Sequence, residues 1–129
     1  MKNSFRTKIA ALILSALLPF AAIASPFIPS GENISLAATT TSQTVTFGTT
    51  AGKNATALIV YNSATTPAVV LCGNSSAITA VAPASGTIGG FLIPPGFSFE
   101  VIKGNSQYCA AVLTGGSGTI YFSSGTDND

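Results

Sequence analysis

The 129-residue chain carries five Lys and Arg, four Asp and Glu, and neither His nor Trp, for a formal net charge of +1. Past residue 24 its only ionisable acids and bases are Glu32, Lys53, Glu100, Lys103, Asp127 and Asp129. Acid–base catalysis needs a proton-transfer group titrating near neutrality, and metal catalysis needs clustered His, Cys or carboxylate ligands, so this composition argues against an enzyme and implies no cofactor.

The chain opens with basic Lys2, Arg6 and Lys8, then an apolar stretch over residues 9–18, then Pro19 and small residues ending in Ala22-Ile23-Ala24. That order reads as a secretory signal peptide over residues 1–24, with cleavage between Ala24 and Ser25. A retained membrane anchor is the competing reading, but the apolar stretch is shorter than the roughly 20 residues that span a bilayer. No membrane association is therefore expected once the signal is removed, and the protein is expected to be exported, to the periplasm or the outside. Cleavage takes away three of the five basic residues and leaves two Lys against two Glu and two Asp, or −2. Such a surface cannot neutralise phosphates, so nucleic acid is not an expected partner.

Residues 25–41, with Pro26, Pro29 and a Thr run, read as a flexible lead-in that serves as a spacer. Residues 42–125 read as the folded domain. Short alternations at 35–38 and 43–47 place Val45 and Phe47 on one strand face and Thr44 and Thr46 on the other. Apolar runs of strand length follow at 56–61 (TALIVY), 68–72 (AVVLC), 98–102 (SFEVI), 108–113 (YCAAVL) and 119–123 (TIYFS). Turn residues bound them: Asn62-Ser63, Gly73-Asn74, Pro94-Pro95-Gly96, Gly104-Asn105 and Gly115-Gly116. Residues 77–81 and 90–93 are weaker strand candidates. With no amphipathic helical stretch after residue 24, seven to nine strands describe an all-β fold, a single small β-sandwich or jelly roll. Residues 126–129 read as an acidic tail.

Cys72 and Cys109 are the only cysteines. In an exported chain an even pair is most simply a disulfide joining neighbouring strands, contributing up to roughly 4 kcal/mol in the chain-entropy model. Two buried thiols, or a metal site short of further ligands, are the competing readings.

The other polar signals have plain structural explanations beside the functional ones. Asn33, Asn54 and Asn74 each begin an N-x-S/T pattern, which chance alone supplies in a chain this rich in Asn, Ser and Thr. The glycines at 86, 89 and 90 resemble a phosphate loop, yet no Lys follows them and no helix starts there. Glu100 and Lys103 read as a solvent-facing pair at a strand end. Tyr61, Tyr108 and Tyr121 lie in apolar strands, where core or sheet-face packing is favoured over a stacking platform for sugars or bases.

Ser, Thr, Asn and Gln take the place of charges on the expected surface, so strand edges lack the Lys residues that discourage edge pairing. Val45, Thr46 and Phe47, on a strand with no charged residue, form the candidate assembly edge.

The order of LIVYN (58–62), a strand ending in Cys72-Gly73, FLIPPGFSFEV (91–101), QYCAAVL (107–113) and GSGTIYFSSG (116–125) resembles small all-β structural proteins carried by tailed bacteriophages. The resemblance covers residues 56–125 and rests on turn and core patterns. It implies a compact β-sandwich with a virion surface or decoration role and carries over no catalytic or cofactor residues. Cys72 and Cys109 stand where that pattern has an aromatic and a β-branched residue, and the pattern usually lacks a cleavable signal.

The expected function is thus that of a non-enzymatic exported structural or assembly protein, partnered by a protein assembly such as a virion or a surface polymer, with no small-molecule ligand expected. The alternatives are a secreted or periplasmic binding module for a glycan or peptide, marked by a solvent-facing aromatic cluster or an apolar pocket, and a pilus-like subunit with a free N-terminal strand.

Overall fold

The computed structural model describes residues 27–83 and 90–127. The expected signal over residues 1–24 and its cleavage point at Ala24 and Ser25 lie outside these residues, as do the glycines at 86 and 89 and the acidic Asp129. Eight strands and one short helix follow in chain order among the described residues: β1 (Phe27–Thr39), β2 (Gln43–Thr46), α1 (Thr50–Asn54), β3 (Ala57–Asn62), β4 (Ala68–Gly73), β5 (Phe91–Ile93), β6 (Ser98–Ile102), β7 (Tyr108–Leu113) and β8 (Ser117–Asp127).

The strands form two four-stranded antiparallel sheets, ordered β1-β8-β3-β6 and β2-β7-β4-β5. The pairs β1·β8, β2·β7, β3·β6 and β4·β5 nest inside one another like the rungs of one long hairpin. Winding that hairpin creates the further pairs β3·β8 and β4·β7. This is the strand order of a jelly roll, two Greek keys closed face to face, as the turn spacing anticipates.

Between the sheets lies the core. Ile34, Leu36 and Ala38 of β1, Leu58 and Val60 of β3, and Ile120 and Phe122 of β8 meet Val45 of β2, Val70 of β4, Ile93 of β5 and Ala111 and Leu113 of β7. Phe47 and Phe122 are the largest fully buried side chains, and burying each contributes on the order of 1.5–3 kcal/mol. Cys72 and Cys109 face each other in the β4·β7 register and are disulfide-bonded, with Cα atoms 4.0 Å apart across 37 residues of chain.

Two expectations at the ends of the domain need correcting. The segment read as a flexible lead-in forms β1, an edge strand hydrogen-bonded to β8 along its length. Its alternation from Asn33 to Ala38 turns Ile34, Leu36 and Ala38 inward, and that apolar face outweighs the turn character of Pro29, which an edge strand tolerates. A bulge between Pro29 and Asn33 absorbs the irregularity. At the other end β8 continues to Asp127, paired with Phe27, so the tail expected from residue 126 begins inside a strand. Residues 77–81 form no strand either. They cross the outer face of the second sheet, where Ile78 and Ala80 pack on Val69, Leu71, Ala110 and Val112. This crossing segment is tied to the β2 side by Thr44 Oγ1 donating to the Ile78 carbonyl at 3.3 Å and by Ala80 N–H donating to Ser42 Oγ at 3.0 Å.

Side-chain clips hold the ends and turns. Glu32, lifted by the bulge, accepts through Oε2 from Gly48 N, Thr49 N and Thr49 Oγ1 at 3.0–3.1 Å, joining β1 to the start of α1. Thr49 in turn caps α1, its hydroxyl accepting from Gly52 N at 2.9 Å. Beneath the bulge, buried Ser124 accepts from Glu32 N and donates to the Glu32 carbonyl.

Candidate functional site

The outer face of the first sheet carries no crossing segment among the described residues, and its side chains can be read row by row from the register. One row runs Ser35, Tyr121, Tyr61, Ser98 across β1, β8, β3 and β6; the next runs Asn33, Ser123, Ile59, Glu100. Tyr61 and Tyr121 are direct cross-strand partners, with ring centroids 6.2 Å apart and planes inclined by 24°. They are 40 and 48 % exposed, so the expectation of face packing is met by an aromatic pair that keeps its rings in contact with solvent. Tyr108 is half-buried on β7 and belongs to neither row.

A depression of about 450 Å³ opens over these rows, lined by Asn33, Ser35, Ile59, Tyr61, Tyr121 and Ser123 with Ile34 and Phe122 at its floor. Ser123 Oγ donates to Asn33 Oδ1. The carbonyl side of the Asn33 amide is thereby engaged, while its NH₂ group has no partner among the described residues. No cation stands in either row, and Glu100 supplies the one carboxylate.

The second candidate surface is the side of the sandwich where β5 and β6 form the edges of their sheets. Phe91 and Leu92 of β5, Phe97 of the following turn, and Phe99 and Ile102 of β6 are 38 to 65 % exposed. Phe91 and Phe99 meet edge-to-face at 5.7 Å and bridge the two sheets. The turn beneath them is closed by a backbone hydrogen bond. Pro95 and Gly96, with Gly96 at φ +73° and Phe97 N–H donating to the Pro94 carbonyl at 3.3 Å, have the residues of a type II turn.

Asn62 anchors that turn from inside. Fully buried at the end of β3, it donates through Nδ2 to the Thr66 and Ile93 carbonyls at 2.9 and 3.0 Å and accepts at Oδ1 from Ala64 N at 3.0 Å. Its backbone carbonyl accepts from Gly96 N at 2.8 Å. Asn62 read only as a turn residue in the sequence, since nothing local reveals that its partners are Ile93 and Gly96.

The candidate edge named from the sequence has a different character. β2 stands at the edge of the second sheet, but Val45 and Phe47 face the core, 6 and 0 % exposed, leaving Thr44 and Thr46 outward and Gln43 exposed at the strand end. That edge offers hydroxyls, an amide and backbone, whereas the β5–β6 edge offers aromatic and aliphatic side chains.

The expected solvent-facing pair of Glu100 and Lys103 also needs correcting. Glu100 is exposed, but Lys103 is buried and its amine donates to the Ala55 and Lys53 carbonyls at 2.6 and 3.3 Å, with the Gly104 carbonyl at 3.4 Å. Two of these carbonyls close the end of α1, whose last C=O groups have no partner inside so short a helix. The Phe47 ring lies 5.4 Å from the amine, and burial lowers the Lys103 pKa from the usual lysine value. Lys103 is a structural cap. Asn33, Asn54 and Asn74 are all exposed, and Asn33 alone stands on the open face. Among the described residues no three His, Cys, Asp or Glu gather to hold a metal ion, and no helix is long and apolar enough to cross a membrane.

No protein-family model, curated protein or solved structure matches the chain, so its strand order and side chains carry the functional reading by themselves.

Proposed function

We propose that this protein is a non-enzymatic, exported assembly protein that attaches by its β5–β6 side to a larger protein body such as a virion surface. The observation that carries the reading is the set of five large apolar residues, Phe91, Leu92, Phe97, Phe99 and Ile102, left 38 to 65 % exposed along two adjacent edge strands. Exposed edges and apolar side chains are normally blunted with charge in a monomer that stays alone. Here the single acidic residue of β6 is Glu100, and Lys103 is turned inward. The resemblance of residues 56–125 to small phage structural proteins, in turn and core patterns, supports the same reading, and the disulfide supports export to an oxidising compartment.

The test sets one edge against the other. Sedimentation of the wild type with particles from its source should give association that Ile102→Lys weakens by about tenfold or more, because a charge at a 65 % exposed position costs the monomer little. Thr46→Lys on β2 should leave it unchanged. Loss with Thr46→Lys and retention with Ile102→Lys would move the contact to the β2 edge. A wild type that remains a monodisperse monomer and joins no particle would overturn the assembly reading.

A further inference from the structure

We infer that the outer face of the first sheet is a binding site for a neutral saccharide, with Tyr61 and Tyr121 as its stacking platform. This goes beyond the assembly reading and uses the opposite kind of surface. Two tyrosines on neighbouring strands at matched register hold each other's rings in place, since each is confined by its partner at 6.2 Å and by the strand beneath. The rings nevertheless remain 40 and 48 % exposed. A pair serving only to cover the sheet would gain more by lying flat under a crossing segment, as the apolar residues of the second sheet do.

The chemistry around the rings selects the ligand class. The π face of a tyrosine carries partial negative charge and attracts weakly positive C–H groups, which the apolar face of a pyranose ring presents. Asn33, Ser35 and Ser123 line the same depression with amide and hydroxyl groups that can donate to, or accept from, sugar hydroxyls. Ser123 fixes the Asn33 side chain by donating to its Oδ1, which orders one recognition group before any ligand arrives and reduces the entropy lost on binding.

Charge excludes the other classes. A nucleotide or a sulfated glycan needs cations, and neither row holds one; Lys103, on the strand end nearest by sequence, is committed to backbone carbonyls. Four strands at a spacing of about 4.8 Å give the face a width of roughly 14 Å, room for a short oligosaccharide laid across the strands.

The full chain, exported and disulfide-bonded, is run in native gels containing soluble cellulose ether, xylan, laminarin, glycogen or, as the anionic control, heparin. Retardation by at least one of the four neutral polysaccharides and not by heparin is expected. Tyr121→Ala and Tyr61→Ala should each weaken it about tenfold, and the double variant should abolish it. Tyr121→Phe should restore most of it, because stacking uses the ring rather than the hydroxyl. Asn33→Ala should weaken binding several-fold. Thermal melting checks that each variant is folded, and Phe at both positions serves as the folded comparison if an Ala variant is not. No retardation by any neutral polysaccharide, retardation by heparin alone, or binding that survives loss of both rings overturns the proposal. Phe97→Lys, in the turn at the apolar edge and 59 % exposed, should bind polysaccharide like the wild type while weakening particle association, so failure here is distinguishable from failure of the assembly reading.

Discussion

The two sheets of this molecule have the same number of strands and opposite relations to solvent. The second sheet is apolar on both faces, one against the core and one under the segment that carries Ile78 and Ala80. The first is apolar on its inner face and outwardly a mixture of Ser, Asn and two tyrosines with Ile59, Glu100 and Ile102. A sheet covered on both sides serves stability, while a sheet with one bare face is where side chains can be spent on recognition. The binding chemistry of this fold is therefore to be sought on the face that no described residue crosses, rather than where apolar residues are densest.

The largest test of that contrast places one charge on each outer face. Val69→Asp puts a carboxylate under the crossing segment at a position 1 % exposed and should cost about 4 kcal/mol or more, enough to abolish cooperative unfolding by urea. Ser35→Asp, on the open face, should change stability by no more than about 0.5 kcal/mol. Similar losses at both sites would break the comparison.

A smaller effect tests the joint between the sheets. Asn62→Ala leaves the Ala64 N–H and the Thr66 and Ile93 carbonyls without their partner, and should cost about 3 kcal/mol in chemical denaturation. Because Asn62 links β3 of the first sheet to β5 of the second, the loss should appear as one shifted transition. Two separated transitions would mean that the sheets unfold independently.

The contrast could be read in the sequence only in part. AVVLC and YCAAVL are unbroken apolar runs, the pattern of strands buried on both faces, and they became β4 and β7 of the covered sheet. The bounding turns place β3, β4, β6, β7 and the start of β8 well because Asn62, Gly73, Gly96, Gly104 and Gly116 punctuate them. Beyond the short alternation at 35–38, β1 was obscured by Pro29 and by its Ser residues, and the inward set of Ile34, Leu36 and Ala38 becomes a face only when β8 lies beside it. What covers the second sheet, and what leaves the tyrosines bare, depends on where residues 75–82 travel, and no local pattern specifies that path. The inward turn of Lys103 is equally non-local, since its acceptors lie about fifty residues away.

The smallest effect concerns the edge of the open sheet. Glu32→Ala removes the acceptor shared by Gly48, Thr49 and the Thr49 hydroxyl and should cost about 1 kcal/mol. Hydrogen exchange should accelerate in β1 while β4 and β7 keep their protection, as expected for a strand that opens by itself. Uniform acceleration in all strands would show that β1 is no separate unit.

The place of β8 has a kinetic consequence. It is the final strand in chain order, yet it lies between β1 and β3, and without it the open sheet has no centre. Phe27 must find Asp127 and Ala57 must find Gly125 before the tyrosine rows exist. Contacts this distant along the chain close slowly, so the shorter-range pairing of β4 with β5 and β7 is expected to precede them, and the face that carries the tyrosines is expected to be assembled last.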